Sequence, residues 1–427
     1  MKIAHIVPGS GGTFYCQNCA RDMSLVRALR AQGHDAMVMP MYLPLFDEPD
    51  SGMAADTPVF YGAVNVYLEQ KLPFYKYVPR PLKRILDAKA ILKLAARQSG
   101  STQPAGLENM TLSVLRGQDG RQARDMTELL AWLSRHERPD VVHLSNALLL
   151  GLAPGIKNEI GVPVVCSLQD EHTWIDSMAA PYDDECWNLL HHLASHVDIF
   201  VPVSQFYNRM MQNKLRLPDS KFRVVPLGVD LSAYIVDNAL PTPPAIGFLS
   251  PISKNTGFDI LFDAFLLLRK NPDLTNLRLY VTGGFTGDEK FMAEIRKRIE
   301  REGVAEDVCF VENFGPDDRG QFMRNLSVFS VPGRIEEAFG LYQLEAMAGG
   351  VPVVQPRLGA FPEIVGATGG GIIYEPNTPA ALAAALKQVL ENHDLRMELG
   401  RKGRAAVEKN YTIQHMADNM SAMYRTC

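Results

Sequence analysis

Glu337 and Glu345 are separated by seven residues, and Phe339-Gly340-Leu341 lies between them. An apolar run, Ser327 to Val331, ends at Pro332-Gly333 and predicts a strand, and the apolar spacing that follows predicts a helix starting near Phe339 to Leu341. The first turn of a helix presents backbone N–H groups at the positive end of its dipole, which suits a diphosphate. Glu345 then falls about one turn further on, roughly 6–8 Å along the axis, which is the reach of a ribose from its phosphates. Glu337, ahead of the helix, would face the other end of such a ligand, where a sugar would hang. The spacing calls for a nucleotide-sugar. The same residues also fit a plainer description, a helix-start acid favoured by the dipole and a solvated acid on a helix face.

Elements on both sides must hold this stretch in place. Lys2 to Val7 reads as a buried strand, followed by the loop Pro8-Gly9-Ser10-Gly11-Gly12, a helical pattern to Gly33 and a second strand from Asp35 to Met39. The loop lacks the full spacing of a dinucleotide fingerprint, so a tight turn without a ligand is its alternative reading. Apolar runs at 140–144, 162–168, 197–203 and 222–227, with helical patterns between them, continue a parallel sheet. Asn238 to Pro244 is a proline cluster suited to a linker. A second alternation then runs through 245–249, 277–281, 308–311, 327–331, 351–354 and 371–374, closed by helical patterns at 378–392, 394–409 and 413–425. The expectation is an α/β protein with two Rossmann-like doubly wound parallel-sheet domains facing across a cleft. The first covers 1–240 with a helical insertion at about 51–130, the second covers 241–410, and 411–427 is a helix packing back on the first.

Composition narrows the function. The 427 residues are 46% apolar and 21% charged, ordinary for a globular protein, and a net charge of −5 gives no reason to expect nucleic-acid binding. Six cysteines form no dense framework and Met1 to Val7 already reads as strand, so a cytoplasmic protein is expected. No run reaches the ~18 apolar residues of a membrane span. The basic, aromatic stretch 71–97 could meet an anionic lipid surface on the inner face of a membrane, or be a solvated helix over the acceptor site. Cys16-Gln17-Asn18-Cys19 has no second CxxC or H-x3-H partner, and Cys166 and Cys186 are dispersed, so no metal site is expected.

The string Glu337-x-Phe339-Gly340-x4-Glu345-Ala-Met-Ala-x-Gly-x-Pro-Val-Val, followed by Gly359-Ala360-Phe361-Pro362-Glu363, resembles the retaining nucleotide-sugar glycosyltransferases of the GT-B type, family 4. Gly11-Gly12, Pro139 to His143, Leu227 to Asp230 and Gly257-Phe258-Asp259 extend the resemblance over nearly the whole chain. It implies that Glu345 binds the ribose, that Glu337 faces the donor sugar, and that the amides of Phe339, Gly340 and Leu341 hold the distal phosphate or sugar. It also implies that Gly11 and Gly12 let a loop approach the diphosphate. The resemblance further implies a metal-independent transfer of a hexose to a hydroxyl acceptor. No cofactor is expected beyond the donor itself, and a UDP-sugar is the first expectation.

Two departures stand out. Where the family carries an Arg and a Lys ahead of the glycine matching Gly257, this chain has Pro251 and Thr256, which leaves Lys254 and Arg334 as candidates for the diphosphate. Where the family places a histidine facing the sugar, this chain has Gln169, followed by Asp170, Glu171 and His172. An amide hydrogen-bonds a hydroxyl but is no base, so Asp170 or His172 would share that role. A front-face substitution is favoured over a double displacement through Asp170. The rival readings are a catalytically silent nucleotide-sugar-binding or scaffold protein, and a sugar-nucleotide epimerase or phosphorylase of the same fold.

Overall fold

The computed structural model describes residues 1–8, 17–41, 106–236, 241–283, 289–311 and 318–427. The chain forms two compact units, Met1–Val225 with Ala417–Cys427, and Pro226–Met416. The division thus lies ahead of the 238–244 proline cluster. Val229 stays with the second unit because its N–H donates to Tyr411 O at 2.8 Å and it bridges to Thr412.

In the first unit β1 (Lys2–Val7), β2 (Asp35–Pro40), β3 (Val141–Leu144), β4 (Val164–Leu168) and β5 (Ile199–Pro202) form a parallel sheet in the order β2-β1-β3-β4-β5. Every residue of β3, β4 and β5 is buried, as expected of strands covered on both faces. Sheet order reverses between β1 and β3, which register Ile3 against Val141. In doubly wound sheets ligands bind beyond the carboxyl ends at such a reversal.

A buried polar network lies beneath that reversal. Asp22 sits against Arg21 and His5 (3.2 Å) and accepts from the Ser145 hydroxyl at 2.5 Å. Burial alone would raise its carboxyl, but Arg21 and His5 hold it below the ordinary value. His143 pairs with the Tyr424 hydroxyl (2.6 Å) and with Ser167 Oγ (2.8 Å), and burial pushes it well below the usual imidazole value. Tyr424 belongs to the Ile413–Tyr424 helix, whose Asp418 and Ser421 meet Gln32 and His34 at 2.8 and 2.7 Å.

In the second unit β6 (Ala245–Leu249), β7 (Arg278–Thr282), β8 (Val308–Phe310), β9 (Val328–Phe329), β10 (Val353–Pro356) and β11 (Gly371–Tyr374) form a parallel sheet in the order β11-β10-β9-β6-β7-β8. The chain runs outward from β6 to β8, then returns to lay β9 beside β6. The reversal therefore falls between β6 and β9, and the loops leaving these two strands are 250–257 and 330–340. The Leu341–Ala348 helix after them is buried at all its positions. A helix apolar on every side is a core helix, so the one carboxylate it carries needs a partner.

Candidate active site

The 250–257 loop is built from hydroxyl groups. Thr256 Oγ1 donates to Pro251 O at 2.8 Å and Ser253 N–H donates to Thr256 Oγ1 at 3.1 Å, so the position where a cation is expected by resemblance holds a self-bonded turn. Arg334 N–H donates to Asn255 O at 2.8 Å, joining this loop to the one after β9. The Arg334 guanidinium makes a bidentate pair with Asp259, 2.8 Å on each nitrogen, and also donates to Lys254 O. Both its terminal nitrogens are engaged within the scaffold, so a role on a diphosphate would require breaking that pair. Lys254 is exposed, and its ammonium makes no hydrogen bond or ion pair among the described residues. Of the two candidate cations it is the one not engaged within the scaffold among the described residues.

Glu337 is half-buried, and its carboxylate accepts from the Tyr342 hydroxyl at 3.2 Å. Tyr342 is held between Phe329 and Phe361, with ring centroids 5.8 and 6.4 Å away. The Glu337 backbone is fixed by the Ala360 N–H, 2.9 Å from its carbonyl oxygen. Gly359 makes this approach possible: at φ +56° a β-carbon would stand 2.5 Å from both N and O of Glu337. Gly340 caps the helix in the left-handed region with no side-chain cap, and Leu341 is the first helical residue. Phe339 is buried, and its carbonyl accepts from Gln343 Nε2 at 2.6 Å.

Glu345 is 2% exposed, and Arg319 Nη1 donates to its Oε1 at 2.9 Å. Tyr234, itself buried, lies near the same carboxylate, and burial together with the Glu345 charge keeps the Tyr234 phenol well above its ordinary value. A solvated helix-face acid would look different. Glu345 is instead a buried carboxylate held by the Arg319 guanidinium, with the Tyr234 phenol nearby. Sequence patterning gave neither partner: Arg319 opens a short helix, Arg319–Arg324, and Tyr234 follows a 3-10 turn far upstream.

In the first unit Gln169, Asp170 and His172 follow β4. Gln169 is buried, and its Nε2 donates to Ser145 O at 3.2 Å, a carbonyl that also accepts from Arg21 at 3.1 Å. Its Oε1 is buried without a hydrogen-bond partner among the described residues. Asp170 is half-buried in the left-handed region at φ +59°. His172 is buried, with Nδ1 3.3 Å from the Tyr207 hydroxyl. Between them Glu171, passed over in the sequence, organises the loop. It accepts from Ala147 N–H (3.0 Å), Gln169 N–H (2.7 Å) and the Tyr207 hydroxyl (2.8 Å). Burial raises its carboxyl despite these donors.

Gly11, Gly12, Cys16 and the stretch 71–97 lie outside the described residues. No group of three or more His, Cys, Asp or Glu fit to hold a metal ion occurs among the described residues, and no helix among them is long and apolar enough to cross a membrane.

The Glycosyl transferases group 1 family matches residues 234–406 and Glycosyltransferase Family 4 matches 109–233. The chain is 31% identical over 218 residues to a D-inositol 3-phosphate glycosyltransferase of Jonesia denitrificans, covering 48% of this chain and 51% of that one. It thus spans about half the length of the curated relatives it matches. In fold it is similar to sucrose-phosphate synthase from Thermosynechococcus elongatus, with a TM-score of 0.72, 17% identity, and coverage of 100% of this chain and 98% of that one. It is also similar to Anabaena HepE in a complex with UDP-glucose, with a TM-score of 0.67, 16% identity and full coverage of both chains. With two parallel-sheet α/β units of the GT-B type and both domains matched, the chain belongs to the group 1, family 4 glycosyltransferases.

Proposed function

We propose that the protein transfers a hexose from a nucleoside-diphosphate sugar to a hydroxyl acceptor, with retention at the anomeric carbon and without a divalent metal. The observation that carries this reading is the placement of Glu337, the Gly340–Leu341 helix start and Glu345 around one sheet reversal, with Lys254 on the neighbouring loop. Each part matches one part of the donor. Glu345 accepts from ribose hydroxyls, the first-turn amides and Lys254 meet the diphosphate, and Glu337 accepts from the sugar.

Departure of the nucleoside diphosphate places negative charge on its distal phosphate. The helix start and Lys254 stabilise that charge most where it develops, in the transition state. The leaving phosphate then takes the acceptor proton in a front-face substitution, so no protein nucleophile is needed. A UDP-sugar is the first donor to try, and the complex of the structurally similar Anabaena protein with UDP-glucose supports that order.

The test is release of free nucleoside diphosphate from a panel of UDP-, GDP- and ADP-sugars in the presence of hydroxyl acceptors. Acceptor-dependent release supports transfer. Binding without turnover would favour the silent or scaffold reading, and a changed sugar with intact diphosphate would favour an epimerase. Glu345→Ala should abolish donor binding, and a variant that binds and turns over normally overturns the assignment.

A further inference from the structure

A groove of about 730 Å³ lies within the second unit, away from the loops of the candidate active site. Ser327 and Pro352 line it and immediately precede β9 and β10, so it opens at the amino ends of these strands, whereas Lys254 and Glu337 follow carboxyl ends. One wall is the His393–Asn410 helix, which rests directly on the Gly349-Gly350 turn: a β-carbon on Gly400 would stand 2.2 Å from Gly350 O. Met323, Leu326 and Val351 contribute buried apolar side chains to the lining. Ile235, Val236 and Met397 also line it and are 63%, 44% and 37% exposed, three of the six large apolar side chains left exposed among the described residues.

The charges around this apolar surface are unequal. Glu398 and Glu408 line the groove, but Glu398 pairs with Lys402 at 2.5 Å and Glu408 with Arg404 at 2.6 Å. Arg404 is further committed to the backbone oxygens of Tyr234 and Ala348. Arg324 and Arg396 line the groove as well, and neither side chain makes a hydrogen bond or ion pair among the described residues. Arg396 is half-buried and its Nε is buried without an acceptor. A guanidinium partly removed from water with no counter-ion is costly, and a bound anion offsets that cost. We infer that the groove is a small-molecule site for a phosphomonoester with an apolar body, the phosphate meeting Arg324 and Arg396 and the body covering Leu326, Val351, Ile235 and Met397. Two unpaired guanidinium groups match a doubly charged phosphate better than a single carboxylate. Apolar area left in water favours a ligand that covers it, and the volume falls in the range of small-molecule pockets. This site lies at the opposite ends of the strands from the donor site and does not rest on that reading.

The test is calorimetry on the full chain with octyl phosphate below its micelle-forming concentration, phenyl phosphate, inorganic phosphate and octanol. The wild type should bind octyl phosphate at least about 10-fold more tightly than inorganic phosphate, the equivalent of burying roughly two methylenes, and octanol more weakly still. Arg396→Gln should weaken octyl phosphate by about 10-fold or more, and Arg324→Gln, at an exposed position where folding is not in question, by about 3- to 10-fold. Met397→Glu should weaken it by placing a like charge beside the phosphate. Lys254→Ala, and an excess of UDP, should leave the affinity unchanged, because the donor loops lie elsewhere. Unaltered binding by folded Arg396→Gln and Arg324→Gln proteins overturns the inference, as does displacement of the probe by UDP or a failure of the wild type to bind either ester. Phosphatidylcholine vesicles with and without phosphatidic acid complete the set. Capture by the acidic vesicles without binding of monomeric octyl phosphate would make this face a membrane contact and overturn the small-molecule site.

Discussion

Gly359→Ala should injure the donor site through a residue it never touches by side chain. Gly359 has φ +56°, a region that costs an alanine roughly 1–2 kcal/mol. The new β-carbon would also lie 2.5 Å from the N and O of Glu337, far inside the ~3.5 Å of ordinary contact. Relieving such an overlap in a packed region costs about 1–3 kcal/mol. The sum, roughly 2–5 kcal/mol, lowers Tm by about 4–20 °C for a unit of this size. Ala360 N–H is bonded to the Glu337 carbonyl, so relief must move Glu337 itself. A shift of about 1 Å in a substrate-positioning group can cost on the order of 100-fold in rate. The assay pairs thermal unfolding with initial-rate kinetics on the preferred donor. Gly359→Asn separates the causes, since asparagine tolerates the left-handed region but still carries a β-carbon. The reasoning is refuted if Gly359→Ala keeps its kcat and a Tm within about 2 °C of wild type, or if Gly359→Asn restores full activity.

Other outcomes follow from the same geometry. Lys254→Ala should raise donor KM by about 10-fold and Arg334→Ala by less than about 3-fold, because Arg334 is committed to Asp259; steady-state kinetics decide between them. Asp170→Asn should keep most of its activity under a front-face mechanism, and a trapped glycosyl adduct on Asp170 would contradict it. Tyr342→Phe removes the 3.2 Å hydrogen bond to Glu337 and should lower kcat by roughly 3- to 10-fold at unchanged Tm. His143 is held neutral by burial, with His5, Arg21 and Tyr424 around it, so its folded pKa lies below its unfolded one. The unfolded chain then binds more protons, and stability should decline as pH falls below about 6.5. Glu171, whose carboxyl is raised, acts in the opposite sense above about 4.5. Chemical denaturation of His143→Gln between these values should show a flatter acid limb than wild type.

Most strands could be read from the sequence because parallel strands covered on both faces leave nearly continuous apolar runs such as Val164-Val165-Cys166. The run 222–227 is the exception: Arg223 and Val225 donate to β5, but the segment forms only a single bridge and no strand of the sheet. β9 is shorter than the apolar run Ser327 to Val331 suggests. Val331 leaves the ladder and donates instead to the Gln355 side chain at 3.1 Å. The two glutamates were legible because their spacing is local to one helix start. Their partners were not. Arg319 and Tyr234 reach Glu345 from other parts of the chain, and no periodicity encodes a tertiary ion pair. The bidentate hold of Asp259 on Arg334 was hidden for the same reason, as was the role of Glu171, whose three donors come from three different segments.

The Ile413–Tyr424 helix begins with the second unit and ends with the first, so Ala417–Cys427 completes a unit whose other residues are made before Pro226. Pro226–Met416 is therefore an uninterrupted stretch set inside a discontinuous one. Chains emerge from the ribosome amino end first, and domains generally fold as units. Here the second unit is entirely translated while the first still lacks the tyrosine that meets His143. The later-made unit is the one that can mature first, and the first-made unit must wait, with Ser421 and Tyr424 unavailable to His34 and His143, until residues 417–427 have emerged.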